Sequence, residues 1–510
     1  EMSARLVGSE MCIRDRFGAY QYQSIQKTRV FDWKNSSLVV HFDRRRSDGY
    51  RDFSRYKSSL LNLKYLRDLD ENNKIVLQVN YTDSPYAYDS GGLKISEVEE
   101  DRRQSRKNNF DYDTYEKVRH VKTGFSWKHI NDNNSFIDSY FFYQKRDFNT
   151  KLPFNYGGII FLERDYYGIG TKYSKKFVSA NKTRTVTLGI DHTNQHDDRK
   201  RFKNNLGEQG EKTFDQIEKF KNTGVYLINQ TEYESGLLFR YGVRFDDNKI
   251  GTDSEEFISL NKFNPSLGLS YSINDSNNVY FSAGTSFETP TLNELSNNPN
   301  GNGLNKNLDP SSSINYEIGW RKSASNLLLQ ATAYLINTDN EILPYEIEEF
   351  PGKNFYRNVG STKRYGIELS SQFLFSSGKL NLSYTNSKNL FKDFNLNGND
   401  LKDLSLPGIP DQILDIELIF DLSKGQSLSI SNRLIGELYA DNLNETKTSS
   451  YNLLNLTYSK QIFKNSQVYL GVNNLLDVNY YDNIRINAFG KRYFEPAPKR
   501  NFHFGINFSF

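Results

Sequence analysis

The feature that most constrains the fold of this 510-residue chain is an alternation of apolar and polar side chains that begins at Phe17. Residues 237–245 and 365–373 show it, and the last strand shows it most plainly. Its apolar positions are Phe502, Phe504, Ile506, Phe508 and Phe510. A period of two is typical of a β-strand with one face on an apolar medium and the other on a polar one. We therefore expect the odd-numbered apolar positions of 237–245 and the even-numbered ones of 502–510 to face lipid.

The connections between the predicted strands alternate in length. We count about 21 strands, joined by short turns at one end and often by long loops at the other. The long loops fall at about 85–114, 196–217, 288–311, 390–408 and 475–499. This pattern predicts an all-β, transmembrane, antiparallel up-and-down β-barrel with its short turns in the periplasm. A soluble propeller or sandwich is the alternative, but it predicts blade repeats of about 40–50 residues, and the sequence contains no such repeat.

Composition excludes two other classes of protein. No stretch approaches the ~20 apolar residues of a spanning helix, which excludes a helical membrane protein. The formal net charge is only +3, so nothing in the electrostatics indicates nucleic-acid binding.

The first 16 residues differ from the rest of the chain. They lack the alternation and contain all of the sulfur, in Met2, Met11 and Cys12. They resemble translated adapter sequence, so we predict that 1–16 is a non-native head and that 17–510 is the barrel domain. Because bacterial barrels have an even number of strands, we expect 22 strands in the parent protein, with the first one absent here. The expected result is an open or poorly paired seam between 17–31 and 500–510, with the head loosely attached. The alternatives are direct pairing of these two strands, which would be parallel, and pairing of residues 4–16 between them as a substitute strand.

Short motifs along residues 17–510 carry a resemblance to a known family. They are 47–52 (SDGYRD), 287–295 (FETPTLNEL), 308–310 (LDP), 316–319 (YEIG), 358–360 (NVG), 366–369 (GIEL), 406–410 (LPGIP), 472–477 (VNNLLD), 492–498 (RYFEPAP) and Arg500. In this order and spacing they resemble the TonB-dependent outer-membrane receptors. Within that family, 90–93 (SGGL), 157–160 (GGII) and 287–295 are most similar to the uptake receptor for pyrroloquinoline quinone, and related sequences are iron–siderophore receptors.

The resemblance implies a function for the parent protein. It implies energy-driven import of a scarce, bulky ligand across the outer membrane of a Gram-negative bacterium, by a monomer that works with the TonB–ExbB–ExbD complex. The family's TonB box and plug domain precede the barrel and have no counterpart in this sequence, so we expect the fragment to lack gated transport. The terminal Phe510 resembles the signal that the barrel assembly machinery reads. A passive porin is the alternative function, and a structural or enzymatic barrel ranks third.

Candidate site residues lie mainly in the predicted outer loops. Arg and Tyr suit anionic chelates or quinones through charge-assisted hydrogen bonds and stacking, although each is more often an ordinary rim residue. The candidates for ligand binding are Tyr86, Tyr88, Tyr480, Tyr481, Arg485, Arg492 and Tyr493.

The sequence contains no enzymatic motif and implies no cofactor. Asp393, Asn395 and Asn397 match half of a calcium-loop spacing, but Leu404 stands where the bidentate Glu belongs. The donors of a second cluster are Asp191, His192, His196, Asp197 and Asp198. Both clusters are weak candidates for metal binding. The first is better explained as an Asn-rich turn and the second as a solvated rim, so we predict no metal site.

Overall fold

The structure is a computed structural model that describes residues 11–132, 134–301, 303–423 and 425–510. It contains one antiparallel sheet of 22 strands, together with four short hairpins in the loops. The barrel strands are β1 Met11–Gly18, β2 Tyr22–Trp33, β3 Ser36–Ser47, β4 Tyr56–Asp68, β5 Asn73–Tyr88, β6 Tyr115–Asp132, β7 Ser135–Lys151, β8 Ile159–Ser179, β9 Lys182–Asn205, β10 Glu208–Tyr233, β11 Leu237–Thr252, β12 Ile258–Asn274, β13 Asn277–Glu288, β14 Ser311–Ala324, β15 Leu327–Asp339, β16 Ser361–Phe375, β17 Gly378–Asp393, β18 Gln412–Ser423, β19 Gln426–Ile435, β20 Tyr451–Phe463, β21 Ser466–Asn473 and β22 Asn501–Ser509.

Each strand pairs with its neighbours in sequence, and β1 pairs with β22, so the sheet closes into a barrel. Closure leaves no unpaired edge, which a sheet in hydrocarbon cannot tolerate. The helices are short: α1 Ile95–Glu100, α2 Lys107–Asp111 and α3 Leu292–Ser296. None of the helices in the described ranges is long and apolar enough to cross a membrane.

The register joins the apolar positions of neighbouring strands into one continuous outer face. Leu237 lies opposite Tyr271 and Phe245 opposite Phe263, and Phe504 lies opposite Leu470. Polar residues of the opposite parity line the interior in strands β1 and β20–β22. This arrangement agrees with the faces predicted for 237–245 and 502–510.

The two rims of the barrel differ as the connection lengths predicted. At one rim the connections have two to four residues; at the other lie the loops 89–114, 289–310, 340–360, 394–411, 436–450 and 474–500. One predicted loop is wrong. Residues 196–217 belong to β9 and β10, which continue to a turn at Leu206 and Gly207. Charged residues on both faces of this extended hairpin pair with one another, as Arg199 pairs with Glu218. The alternation of apolar and polar residues is therefore lost there.

The expectation of an open seam is also wrong. Residues Met11–Gly18 form β1, which hydrogen-bonds to β2 on one side and to β22 on the other. Phe17 stacks on Phe504 at 5.1 Å, and Arg14 Nε donates to Asn507 Oδ1 at 3.0 Å on the interior face. The head therefore supplies a closing strand from residue 11 onward, and residues 1–10 lie outside the described part. The non-native origin of 1–16 remains a prediction.

Strand β1 closes the barrel at a modest electrostatic cost because its two arginines face the interior and not the lipid. Arg14 and Arg16 point into the interior, where the Arg16 guanidinium lies 5.7 Å from the centre of the Tyr469 ring. Only Asp15 shares the outward face with Phe17 and Ile506. A lipid-facing Asp costs less than the ~2–4 kcal/mol of an Arg or Lys at the bilayer centre. An unpaired barrel edge would cost more, because every open backbone group adds to it.

Candidate functional site

The long-loop rim carries the candidate site, and its two longest loops are joined by backbone contacts. Leu93 in loop 89–114 and Phe494 in loop 474–500 exchange both backbone hydrogen bonds, at 2.9 and 3.1 Å. Leu93 is fully buried and packs with Val98 and Tyr493 in a small apolar cluster. A Cβ at Gly92 would lie 2.1 Å from the carbonyl oxygen of Arg492, so only glycine permits this approach. The two loops therefore form one unit, which we call the loop clamp.

Ion pairs reinforce the loop clamp. Arg485 in loop 474–500 donates to Asp89 at 2.8 Å, across 396 residues of sequence, and also to Glu495. Arg492 donates to Glu97 of helix α1. Burial alone would raise the pKa of the Asp89 carboxyl, but Arg485 and the Gly91 amide outweigh it, so this pKa is lowered. Both arginines thus have carboxylate partners within the protein before any ligand is considered.

Arg51 attaches a third segment, loop 48–55, to the loop clamp. Its guanidinium is buried and donates to three backbone carbonyls, those of Ser90, Gly91 and Gln104, at 2.6–3.3 Å. Burial lowers the pKa of Arg51. The sequence analysis did not identify Arg51 as a site residue, although it lies in the motif at 47–52.

Asn487 connects the loop clamp to two further loops. Its side-chain amide donates to the carbonyl of Pro344 and to Asn442 Oδ1, both at 3.1 Å, and its Oδ1 accepts from the Asn442 amide at 3.0 Å. Its backbone φ is +54°, a conformation that asparagine tolerates better than most residues. Four long loops are thereby joined into one canopy: 89–114, 340–360, 436–450 and 474–500.

Below the loop clamp lies a polar, aromatic cavity of about 1250 Å³ that opens onto the inner wall of the barrel. Its aromatic lining includes Tyr20, Tyr22, Tyr50, Tyr56, Tyr88, Tyr115, Tyr469 and His503. Its charged lining consists of Arg14, Arg16, Arg51, Asp89, Glu116, Lys151, Asp482, Arg485 and Glu495. Tyrosine rings offer apolar faces and a hydroxyl, so this cavity suits a bulky ligand with both aromatic and polar groups.

Two of the predicted ligand-binding residues, Tyr88 and Arg485, line this cavity. The Tyr88 hydroxyl accepts from Arg55 Nη2 at 3.1 Å, and the Arg55 guanidinium also lies 5.6 Å from the Tyr86 ring. Tyr86 itself lies opposite Lys57 in the β4–β5 ladder.

The other predicted residues of loop 474–500 have partners in the canopy or at the start of β20. Tyr480 packs against Tyr451 at 5.2 Å, and Tyr481 against Phe494 at 4.9 Å. Tyr493 is buried in the loop clamp, and burial raises the pKa of its hydroxyl to about 12. Arg492 also lies outside the cavity lining, held by Glu97. All of these residues remain predictions as ligand contacts.

The metal candidates take local structural roles. Asn395 Oδ1 accepts from the Gly398 amide at 3.0 Å, which closes a tight hairpin at residues 395–400 around Asn397, and Asp393 ends β17. No group of three His, Cys, Asp or Glu side chains in the described residues is arranged to hold a metal ion.

The second cluster lies within β9, with its members on opposite faces of the strand. The interior members Asp191 and Asp197 pair with Arg244 and Arg164. His192 and His196 lie on the opposite, outward face of the strand, together with Ile190.

The terminal Phe510 lies on the outward side of the seam. It is 60% exposed and stacks on Phe508 at 6.1 Å, and its backbone exchanges hydrogen bonds with Met11. Its role as an assembly signal remains a prediction.

Comparison with known proteins gives concordant results. A family model described as TonB dependent receptor-like, beta-barrel matches residues 14–475. A vitamin B12 transporter, BtuB, of Photobacterium profundum is 28% identical over 284 residues, which cover 54% of this chain and 42% of that protein. A probable TonB-dependent siderophore receptor, PiuA, of Acinetobacter baumannii is 22% identical over 315 residues, covering 57% of this chain and 41% of that protein. This chain thus matches about two fifths of the length of these curated relatives.

Solved structures with the same fold include the ferric citrate transporter FecA, with a TM-score of 0.83 at 16% identity over 98% of this chain and 78% of that one. The siderophore receptor PiuA of Acinetobacter baumannii has a TM-score of 0.78 at 16% identity over 99% and 82%. These similarities show the barrel fold. The relatives and neighbours are transport receptors rather than enzymes.

Proposed function

Since the chain belongs to the TonB-dependent receptor β-barrel family, we propose that it forms the wall of an importer for a scarce, bulky ligand. The family is located in the Gram-negative outer membrane. The observation that carries the proposal is the roofed cavity of about 1250 Å³ between the loop clamp and the inner wall. A barrel of 22 strands is too wide for its own side chains to fill, which is why transporters of this size enclose a plug.

The proposal includes partners that lie outside the barrel. Energised import needs a plug and a segment that contacts the TonB–ExbB–ExbD complex, and we propose that the parent protein supplies both. We further propose that residues 17–510 are the native barrel domain and that the receptor works as a monomer. The plug would contact the interior face that is now lined by polar side chains.

The charge balance of the cavity supports a proposal about the class of ligand. Arg485 is neutralised by Asp89 and Glu495, and tyrosine is the commonest aromatic residue in the lining. Such a lining favours ligands that stack and hydrogen-bond over ligands recognised by charge alone. We therefore propose an iron–siderophore chelate or a corrinoid of the vitamin B12 type. Pyrroloquinoline quinone, a polycarboxylated quinone, is the narrower alternative.

The test is a binding assay on the receptor completed with its upstream genomic sequence. Ferric siderophores, cobalamin and pyrroloquinoline quinone are titrated separately, with Tyr88→Ala as the site variant and the lipid-facing Tyr167→Ala as its control. We expect saturable binding of one ligand, weakened by Tyr88→Ala and unchanged by the control. Steady ion conductance in a planar bilayer without saturable binding of any ligand would instead identify a passive porin.

A further inference from the structure

The extended hairpin of β9 and β10 meets three other segments at the long-loop rim. Asn204 near its tip donates to the carbonyl of Leu152 in the connection between β7 and β8, at 3.0 Å. Phe154 of the same connection packs edge-on against Phe350 of loop 340–360, with ring centres 5.4 Å apart. A further loop joins these three segments, and we call the place where all four meet the hairpin junction.

Arg201 of β9 attaches that further loop and is buried in the hairpin junction, with 8% of its surface exposed. Its Nη2 donates to the carbonyl of Ser296 and to Asn297 Oδ1, both at 3.0 Å, in loop 289–310. Its Nε is also buried, but this atom has no hydrogen-bond partner among the residues that the structure describes. A buried donor that lacks an acceptor is destabilising.

The charge of Arg201 is uncompensated as well. The other inward-facing arginines nearby have carboxylate partners: Arg199 holds Glu218 through two hydrogen bonds, and Arg164 holds Asp197 in the same way. Within the described ranges, Arg201 takes part in no ion pair. Buried charges in proteins are normally paired. The hairpin junction therefore supplies Arg201 with no counter-ion of its own.

Two neutral donors next to Arg201 also lack acceptors. Phe214 lies opposite Arg201, so Gln216, two residues further on, is its diagonal neighbour on the same face. A Cβ at Gly157 would lie 3.7 Å from both Arg201 Cδ and Thr213 Oγ1, so this glycine leaves room beside the two side chains. The buried Gln216 Nε2 and Thr213 Oγ1 have no hydrogen-bond partner in the described part of the chain.

Lys353, on the adjoining loop, adds a second uncompensated cation. Its ammonium packs on the rings of Phe350 and Phe355, and no carboxylate pairs with it in the part of the chain that the structure describes. Burial, and then Arg201 and Arg199, lower the pKa of Lys353 to about 7. The hairpin junction thus brings together two cations and two neutral donors without matching acceptors.

We propose that the hairpin junction binds a small tetrahedral oxyanion, phosphate or sulfate. The planar donor group of an arginine matches such an anion. The oxyanion accepts from Arg201 Nε and Gln216 Nε2, neutralises Arg201 and Lys353, and so joins loops 289–310 and 340–360 to the hairpin. The site is independent of the imported ligand, since none of these three residues lines the cavity below the loop clamp.

The test measures hydrogen exchange in loops 289–310 and 340–360 of the full chain, folded in detergent at about pH 6, where Lys353 is protonated. Sodium phosphate, sodium sulfate or sodium chloride replaces sodium gluconate, whose organic anion is bulkier, at constant ionic strength. With phosphate or sulfate at about ten times its dissociation constant, exchange should be about tenfold slower, and the effect should saturate. Arg201→Gln should abolish this response.

The matched control is Arg51→Gln. It also removes a buried arginine, but one whose donors reach the backbone carbonyls of Ser90, Gly91 and Gln104. This variant should loosen the loop clamp and keep the oxyanion response. Phosphate and sulfate also stabilise folded proteins because they are excluded from protein surfaces. That effect does not saturate and would be equal in Arg201→Gln.

Heat-modifiable migration on gels verifies that each variant is folded. If Arg201→Gln fails to fold, Gln216→Leu should still weaken oxyanion binding about threefold or more. A parent chain without a saturable response would overturn the proposal, as would equal responses in the parent chain and Arg201→Gln. A response to chloride as strong as that to phosphate and sulfate would overturn the assignment of an oxyanion.

Discussion

At the short-turn rim, Asn274 closes its hairpin by accepting hydrogen bonds from the Ser276 amide and the Asn277 side chain, two and three residues away. At the long-loop rim, Arg485 holds Asp89, which lies 396 residues away. The first kind of contact forms from neighbours along the chain, whereas the second requires a nearly complete barrel. The contrast teaches that damage at the turns should stay local, whereas damage in the canopy should spread between loops.

The largest expected effect is from Arg485→Met, which leaves the partly buried carboxylates of Asp89 and Glu495 without their cation. Because Asp89 is partly exposed to water, the cost should be about 2–3 kcal/mol, between that of an exposed pair and that of a fully buried one. We expect this loss in the local stability of loops 89–114 and 474–500, measured by hydrogen exchange. The control is Lys491→Met, because its pair with Glu445 is exposed on both sides, and such pairs contribute about 1 kcal/mol or less. Equal exchange in the two variants would refute the role of Arg485.

The next largest effect is from Asn487→Ala, which removes the hydrogen bonds to Pro344 and Asn442. Leaving these partners unsatisfied costs about 1–3 kcal/mol, and alanine is also strained at a φ of +54°. Exchange should rise in loops 340–360 and 436–450 together. Asn487→Gly loses the same hydrogen bonds without the strain, so it should be less severe. A change confined to residue 487 and its neighbours would contradict the linking role.

The third prediction concerns pH and Lys353 in loop 340–360. Its ammonium packs on the rings of Phe350 and Phe355 at 5.1 and 4.6 Å. Burial, and then the nearby Arg201 and Arg199, lower the pKa of Lys353 to about 7. A lysine in the undocked loop titrates near 10.4, so the undocked loop binds more protons between these values. Docking should therefore strengthen as pH rises from about 7 to about 10.

Hydrogen exchange of loop 340–360 at pH 6 and pH 9, corrected for intrinsic exchange rates, measures this effect. Lys353→Met removes the titrating group and should make docking independent of pH over this range. A pH response that persists in Lys353→Met would assign the effect to another group.

The smallest expected effect is from Asn274→Ala at the short-turn rim. Loss of its two hydrogen bonds should cost about 0.5–1.5 kcal/mol, confined to the ends of β12 and β13. Exchange in the loops of the other rim should not change. Faster exchange in loop 89–114 of this variant would show that the two rims are coupled after all.

Particular segments show how far prediction from sequence reaches. The alternation in 502–510 and the long connection at 475–499 predicted a strand and an outer loop, and both are present. The extended hairpin of β9 and β10 was missed because its charged side chains hide the period of two. Strand β1 was considered only as an alternative because its outward apolar series, Met11, Ile13 and Phe17, is short and is interrupted by Asp15. The segment pairs with both open strands, β2 and β22.

The candidate site was predictable only in part. Tyr88 and Arg485 were found as aromatic and basic residues in predicted outer loops, and both line the cavity. Arg51, Asp89 and Asn487 were missed because their partners lie tens to hundreds of residues away. Only Arg51 had a local signal, since it lies in the motif at 47–52.

The sequence by itself determined the class of fold, the outward and inward faces, and the rim that carries the long loops. It could do so because both signals are local. The period of two reflects the medium that each side chain faces, and the length of each connection can be counted along the chain. The tertiary structure alone decided how the seam closes and which loops join. Those outcomes depend on backbone groups that must find partners in hydrocarbon, and on charges such as Arg485 that become buried only after distant loops meet.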